Sequence, residues 1–267
     1  MKAQGKNIVV TGGGNGVGRE LVLQLLAKGA TVFAADINPE SLKETVKIAQ
    51  NNKSLFTYVV DISNREAVFA FAEKVIKEHG KVDGIINNAG IIQPFIHLNE
   101  LDMDHIDRVI NINYYGTLYM VKAFLPHLLK RPDAHIVNVS SMGGFLPVPG
   151  QSIYGASKAA VKLMTEGLYS ELRDTNVNVS VVIPGGIATD IKKNSNISYN
   201  VSTDTDSKKA NMVLTPAKAA KLTIEAMEKN KLRSYIGKDC KIMNFLYQIS
   251  PAFAMNMINK VMNSNEH

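Results

Sequence analysis

The sequence predicts one doubly wound α/β domain over residues 1–267, a parallel sheet of about seven strands with helices on both faces. Three observations carry this. Short apolar runs alternate with amphipathic stretches along most of the chain, the rhythm of successive β–α–β units. The runs are near-continuously apolar, as strands become when both faces of a sheet are covered. No internal repeat or long linker divides the chain, and 267 residues suit one large α/β domain or two small ones.

The first unit is the most informative. Asn7–Thr11 reads as a strand, Gly12-Gly13-Gly14-Asn15-Gly16-Val17-Gly18 as a glycine turn, and the stretch from Arg19 to Leu26 as an amphipathic helix. Strand, glycine turn and helix form the setting of a dinucleotide site. Glycines let the backbone approach a pyrophosphate, whose charge is favoured at a helix N-terminus. The glycines that fit here are Gly12, Gly16 and Gly18, a spacing wider than the usual fingerprint. A second strand, Thr31–Ala35, ends at Asp36, close to where a carboxylate meets the ribose hydroxyls of adenosine. A carboxylate there repels a 2′-phosphate, and Ile37 beside it brings no compensating charge, so NAD is favoured over NADP. The other reading of Asp36 is a turn or helix-cap residue before Asn38-Pro39.

Further units follow. Leu55–Val60 is a strand ending at Asp61, and a helix runs over about 65–78. Gly84–Ile86 leads into Asn87-Asn88-Ala89-Gly90. One long helix is expected over about 103–129, then strand Ala134–Ser140, a helix from near Ile153, and strand Val177–Ile183. Thr215-Pro216 is a helix start, a cap residue followed by proline in the first turn. Leu232–Ile236 gives the seventh strand.

Composition narrows the function. Charged residues are 20% and the net charge is +6, with basic residues dispersed and no aromatic–basic ladder, so no nucleic-acid partner is expected. The single cysteine, Cys240, excludes an intrachain disulfide. The six histidines are scattered, and no metal site is predicted. Without a signal peptide or a run long enough to span a membrane, the expected setting is cytoplasmic.

Tyr154 and Lys158 lie four apart in a helical stretch, hence on one face. A free phenol titrates near ~10, too high for a base at neutral pH, and a neighbouring ammonium lowers that value. The pair is suited to moving a proton on or off an alcohol oxygen.

Taken with the glycine turn, Asn87-Asn88-Ala89-Gly90, Asn113, Ser141, Tyr154-x-x-x-Lys158 and Pro184-Gly185, the chain resembles the short-chain dehydrogenases/reductases over roughly residues 6–190. The resemblance implies a Rossmann-type fold and an oxidoreductase. It makes Tyr154 the general acid/base and Lys158 the group that lowers its pKa and holds the nicotinamide ribose. Ser141 would bond the substrate oxygen, and Asn113 would hold a water linking Lys158 to solvent. Gly12, Asn15, Gly16, Val17 and Gly18 would form the pyrophosphate turn, with Asp61 and Ile62 at the adenine. Asn87, Ala89 and Gly90 would run beside the adenosine, and Pro184, Gly185, Ile187 and Thr189 would meet the nicotinamide. A homo-tetramer or homo-dimer through the two long helices is the family expectation.

Residues 190–212 are polar and read as a lid over the substrate, with Ile191, Tyr199 and Met212 as pocket-facing candidates. The rim after Ser141, with Gly143, Phe145 and Gln151 as contacts, is apolar apart from Gln151. That suits a hydrophobic alcohol or ketone. The stretch 238–267 is rich in methionine and aromatics and reads as an apolar tail that packs on the domain or on another subunit; contact with substrate or a membrane surface is the other reading. The functional expectation is NAD-dependent hydride transfer between a secondary alcohol or ketone and nicotinamide. An NADPH-dependent ketone or 3-oxoacyl reductase is the alternative within enzymes, and a non-catalytic nicotinamide-binding regulator the alternative outside them. The joint presence of Asn113, Ser141, Tyr154 and Lys158 argues against the regulator.

Overall fold

The computed structural model describes residues 1–188, 191, 195 and 213–263. Its seven strands are β1 (Asn7–Thr11), β2 (Thr31–Asp36), β3 (Leu55–Val59), β4 (Gly84–Asn87), β5 (Ala134–Val139), β6 (Val177–Pro184) and β7 (Arg233–Ile236). They form one parallel sheet in the order β3-β2-β1-β4-β5-β6-β7. Strand order reverses between β1 and β4, so a crevice opens beyond the ends of those two strands, the usual ligand position in a doubly wound sheet.

Alternate residues of the inner strands enter opposite cores. Val9, Ile85 and Ile136 join α3 (Arg65–His79) and α5 (Gly116–Leu128) through Val68, Phe71, Met120 and Phe124. Val10, Ile86 and Val137 join α1 (Gly16–Ala27) and α7 (Pro216–Glu228) through Leu21, Leu25, Ile224 and Met227. This two-sided burial is why the strands read as unbroken apolar runs.

Caps set the helix starts. Asn38 accepts from Glu40 N and Ser41 N at 2.9 and 3.1 Å and opens α2 (Pro39–Ile48) with proline behind it. Asn38 is thus the cap, and Asp36 stays at the end of β2. Asn64 caps α3 and Thr215 caps α7.

The single helix expected over 103–129 is divided. α4 (Met103–Ile110) passes into a π-helical turn, Asn111–Tyr115, before α5. Such turns leave no compositional trace and concentrate at functional sites; this one holds Asn113. The catalytic candidates Tyr154 and Lys158 lie on α6 (Ser152–Glu171). The apolar tail is two helices, α8 (Lys238–Ile249) and α9 (Pro251–Asn263).

One buried titratable group sets an acid limit on stability. His135 on β5 is wholly buried, with Nε2 2.8 Å from Ser180 Oγ. Burial pushes its pKa down from 6.5 to about 3. Between those values the unfolded chain takes a proton that the folded chain refuses, so stability falls as pH falls through that window. Denaturant unfolding should therefore show a loss of roughly 3 kcal/mol at pH 4 relative to pH 7, flattened in His135→Asn. Equal slopes in the two proteins would rule out His135 as the cause.

Candidate active site

The crevice is a cavity of about 620 Å³. Its two ends are chemically distinct. Asp36, Ile37, Asp61 and Ile62 line one end, and Ser141, Tyr154, Lys158 and Pro184 the other. Gly12, Asn15, Gly16 and Val17 form the wall between, with Ala89 beside Gly12, and Gly90, Gly185, Ile187 and Ile191 also contribute.

The glycine turn is built for close approach. Gly12 has φ +70°, and a Cβ there would lie 3.0 Å from Asn88 Nδ2. Asn15 caps α1, its Oδ1 accepting from Gly16 N at 2.7 Å. Gly18 does not line the cavity. A side chain on it would overlap the Gly12 carbonyl, so it lets helix and turn pack. Arg19 donates to the Gly14 carbonyl through Nε and Nη2 at 3.1 and 2.6 Å, and to Thr45 Oγ1. Asp36 accepts from Gly14 N at 2.9 Å and Asn38 N at 3.0 Å, so it shapes the turn and also faces the cavity.

At the other end, Lys158 is 5% exposed, and its Nζ donates to the Val139 carbonyl at 3.1 Å. Burial lowers its pKa to about 8. Tyr154 moves the opposite way. Burial raises it above the ordinary phenol range, and a side-chain hydrogen bond with Ser141 opposes the rise. The lowering expected from Lys158 is not among the causes acting on Tyr154, where desolvation leads and the Ser141 hydrogen bond opposes it. Ser141 also accepts from Gly143 N at 3.1 Å, starting a short 3₁₀ turn. Its neighbour Ser140 turns inward and donates to the Lys158 carbonyl at 2.7 Å.

Asn113 sits behind the cavity wall, fully buried. Its amide clamps Ile91, accepting from Ile91 N and donating to Ile91 O, both at 2.9 Å, and it also donates to Ser157 Oγ. Gly90 allows this: a Cβ there would be 3.0 Å from both Asn113 Oδ1 and Lys158 Nζ.

Several expected contacts lie elsewhere. Asn87 is buried below the floor, donating to Asn138 Oδ1 at 2.8 Å. The neighbouring Asn88 takes its place at the wall, tied to Thr11. Phe145 packs beside Tyr235 and Tyr247 in a cluster with Leu146 and Met243. Gly143 lies against the Tyr154 ring. Gln151 is 4% exposed and donates to the Gln93 and Gly150 carbonyls. None of the three is among the residues that line the cavity: Phe145 turns to the tail helices, Gln151 to the Gln93 loop, and Gly143 stays beside Ser141 and Tyr154. Thr189, Tyr199, Met212 and most of the 190–212 lid lie outside the described residues. Ser195 accepts from Ile92 N and, through its carbonyl, from Arg108.

Two supporting residues escaped the sequence. Gln93 is 1% exposed, and its Oε1 accepts from Ile153 N and Tyr154 N at 2.8 and 2.9 Å while Nε2 donates to Gly150 O at 2.9 Å. Helix α6 has no side-chain cap of its own, so Gln93 caps it from the loop after β4. Asp239, in the first turn of α8, accepts from Gly186 N at 2.6 Å, and a side chain on Gly185 would overlap its carboxylate. Neither has a local sequence signal, since both act across long separations.

Comparison with known proteins agrees with this geometry. Residues 6–200 match the short chain dehydrogenase family. The chain belongs to that family. A Mycobacterium tuberculosis protein named as an oxidoreductase, SadH, is 35% identical over 92% of this chain and 91% of its own length. A short-chain dehydrogenase/reductase from Burkholderia phymatum in complex with NAD superposes with a TM-score of 0.79 at 29% identity, covering 88% of this chain and 90% of that one. Another, from Burkholderia cenocepacia with NADP, gives 0.80 at 27% identity over 97% and 99%. The protein is thus a short-chain dehydrogenase by family and fold, and its relatives include complexes with either nicotinamide cofactor.

Proposed function

We propose that this short-chain dehydrogenase transfers hydride between a secondary alcohol or ketone and NAD, with Tyr154 as general acid/base. The observation that carries the reading is the cavity itself. It runs from a carboxylate, Asp36, past a helix N-terminus, to Ser141, Tyr154 and Lys158. That layout fits an extended dinucleotide whose reactive end meets the proton-transfer group. When bound, the nicotinamide supplies the hydride acceptor or donor.

The residues divide the remaining work. Ser141 and Tyr154, hydrogen-bonded to each other, hold the substrate oxygen between them. In the oxidative direction Tyr154 accepts the hydroxyl proton; in the reductive direction it returns it. Ser141 stabilises charge that develops on the oxygen. Lys158 holds the nicotinamide ribose and favours the phenolate. With the Asn113 amide engaged by Ile91 and Ser157, its part in this reading is to fix the Ile91 loop and to lead a water toward Lys158. Exposed Met103, Tyr115, Leu163 and Tyr169 on α4 to α6 are the surface that homo-dimer or homo-tetramer formation would cover.

Cofactor choice rests on Asp36, with Arg19 held by Gly14 and Thr45 and so not offered to a 2′-phosphate. An absorbance assay of secondary alcohols with each cofactor tests this. The wild-type chain should prefer NAD, and Asp36→Ser should shift the NADP/NAD ratio of kcat/KM upward by roughly 10²-fold, the like-charge repulsion being removed. Wild-type preference for NADP would overturn the assignment and favour the NADPH-dependent reductase.

A further inference from the structure

The tail helices bury one face and leave the other bare. Met243 and Ala254 pack with Leu146, joined by Leu246, Tyr247 and Ile258 and by Met142 and Phe145 beside the catalytic serine. On the opposite faces Phe245 is 62% exposed, Ile249 67% and Phe253 57%, with Ile242 and Met257 alongside. At helical spacing Lys238 and Lys241 share the face of Ile242 and Phe245, and Lys260 that of Phe253 and Met257; all three lysines are exposed. Residues 240–263 contain no aspartate or glutamate, and Asp239 is turned inward to Gly186.

We infer that α8 and α9 dock the protein on an anionic lipid surface, their aromatic and aliphatic side chains entering the headgroup boundary. The charge pattern selects this occupant. Apolar side chains whose exposed charged neighbours on these helices are all lysines match a surface that is greasy within and negative outside, and lysine stems bury while their ammonium groups reach the phosphates. Among the described residues no helix is long and apolar enough to cross a membrane, so the contact is peripheral. The site face gives the docking a purpose beyond the proposed reaction: the cluster under these helices borders Ser141, so apolar substrates dissolved in lipid would meet the catalytic end first.

Vesicle co-sedimentation of the full chain tests this independently of turnover. Wild-type protein should pellet with vesicles of phosphatidylcholine and phosphatidylglycerol, and less with phosphatidylcholine alone or in high salt. Phe245→Ser/Phe253→Ser should lower the bound fraction about tenfold at unchanged melting temperature, and Lys238→Gln/Lys241→Gln/Lys260→Gln should abolish the preference for anionic lipid. Wild-type protein that stays in the supernatant with both lipids would overturn the inference. So would a serine variant that elutes as a smaller species on size exclusion, since the patch would then be covered by a second copy.

Discussion

Replacing Tyr154 with phenylalanine should lower kcat by roughly 10²- to 10⁴-fold while leaving the dissociation constant for reduced cofactor within about twofold. In the proposed mechanism the Tyr154 hydroxyl exchanges a proton with the substrate oxygen. Its removal deletes a hydrogen bond with Ser141, worth about 1 kcal/mol, so the fold should survive. Fluorescence titration with NADH and steady-state kinetics separate the two effects. A variant that keeps near-wild-type kcat would remove Tyr154 from the mechanism. A variant that loses cofactor binding with turnover would make its role structural.

Gln93→Leu should be nearly as damaging although the side chain touches no substrate. The substitution preserves size but leaves Ile153 N and Tyr154 N without the partner they have at 2.8 and 2.9 Å, while Gly150 O keeps only its bond from Gln151. Each unmet buried group costs on the order of 1–3 kcal/mol, so equilibrium unfolding should show a loss of about 3 kcal/mol or more. In the folded fraction the first turn of α6 is released, and kcat should fall by roughly 10²-fold, the cost of slight misplacement of a catalytic group, with KM for cofactor little changed. Gln93→Glu tests position against packing. Its carboxylate still accepts from both N–H groups and is favoured at a helix N-terminus, but it no longer donates to Gly150. It should recover most of kcat and only part of the stability. A Leu variant with normal kcat, or a Glu variant no better than Leu, would sink the positioning role.

The chemistry-bearing residues were legible because their signals are local. The glycine turn, the acid at the end of the second strand and the Tyr154–Lys158 pair each occupy one element, and each reaches the cavity wall. Asn87, Gln151 and Phe145 do not line the cavity, for a common reason. A polar or aromatic residue near a motif can face the ligand or the protein interior, and only the partners decide. Asn138 claims Asn87, the Gln93 and Gly150 carbonyls claim Gln151, and the tail helices claim Phe145.

By itself the sequence determined the doubly wound sheet, the place of its crevice and the helix that carries Tyr154 and Lys158, since hydrophobic period, glycine spacing and helical spacing act within a few residues. The tertiary structure decided the π turn that seats Asn113 and the remote cap that Gln93 gives α6. It also decided the clamp of Asp239 on the Gly185 loop and the balance by which burial raises Tyr154 and lowers Lys158. Each of these depends on which distant backbone groups and low-dielectric surfaces are brought together, information that packing creates and no local pattern carries.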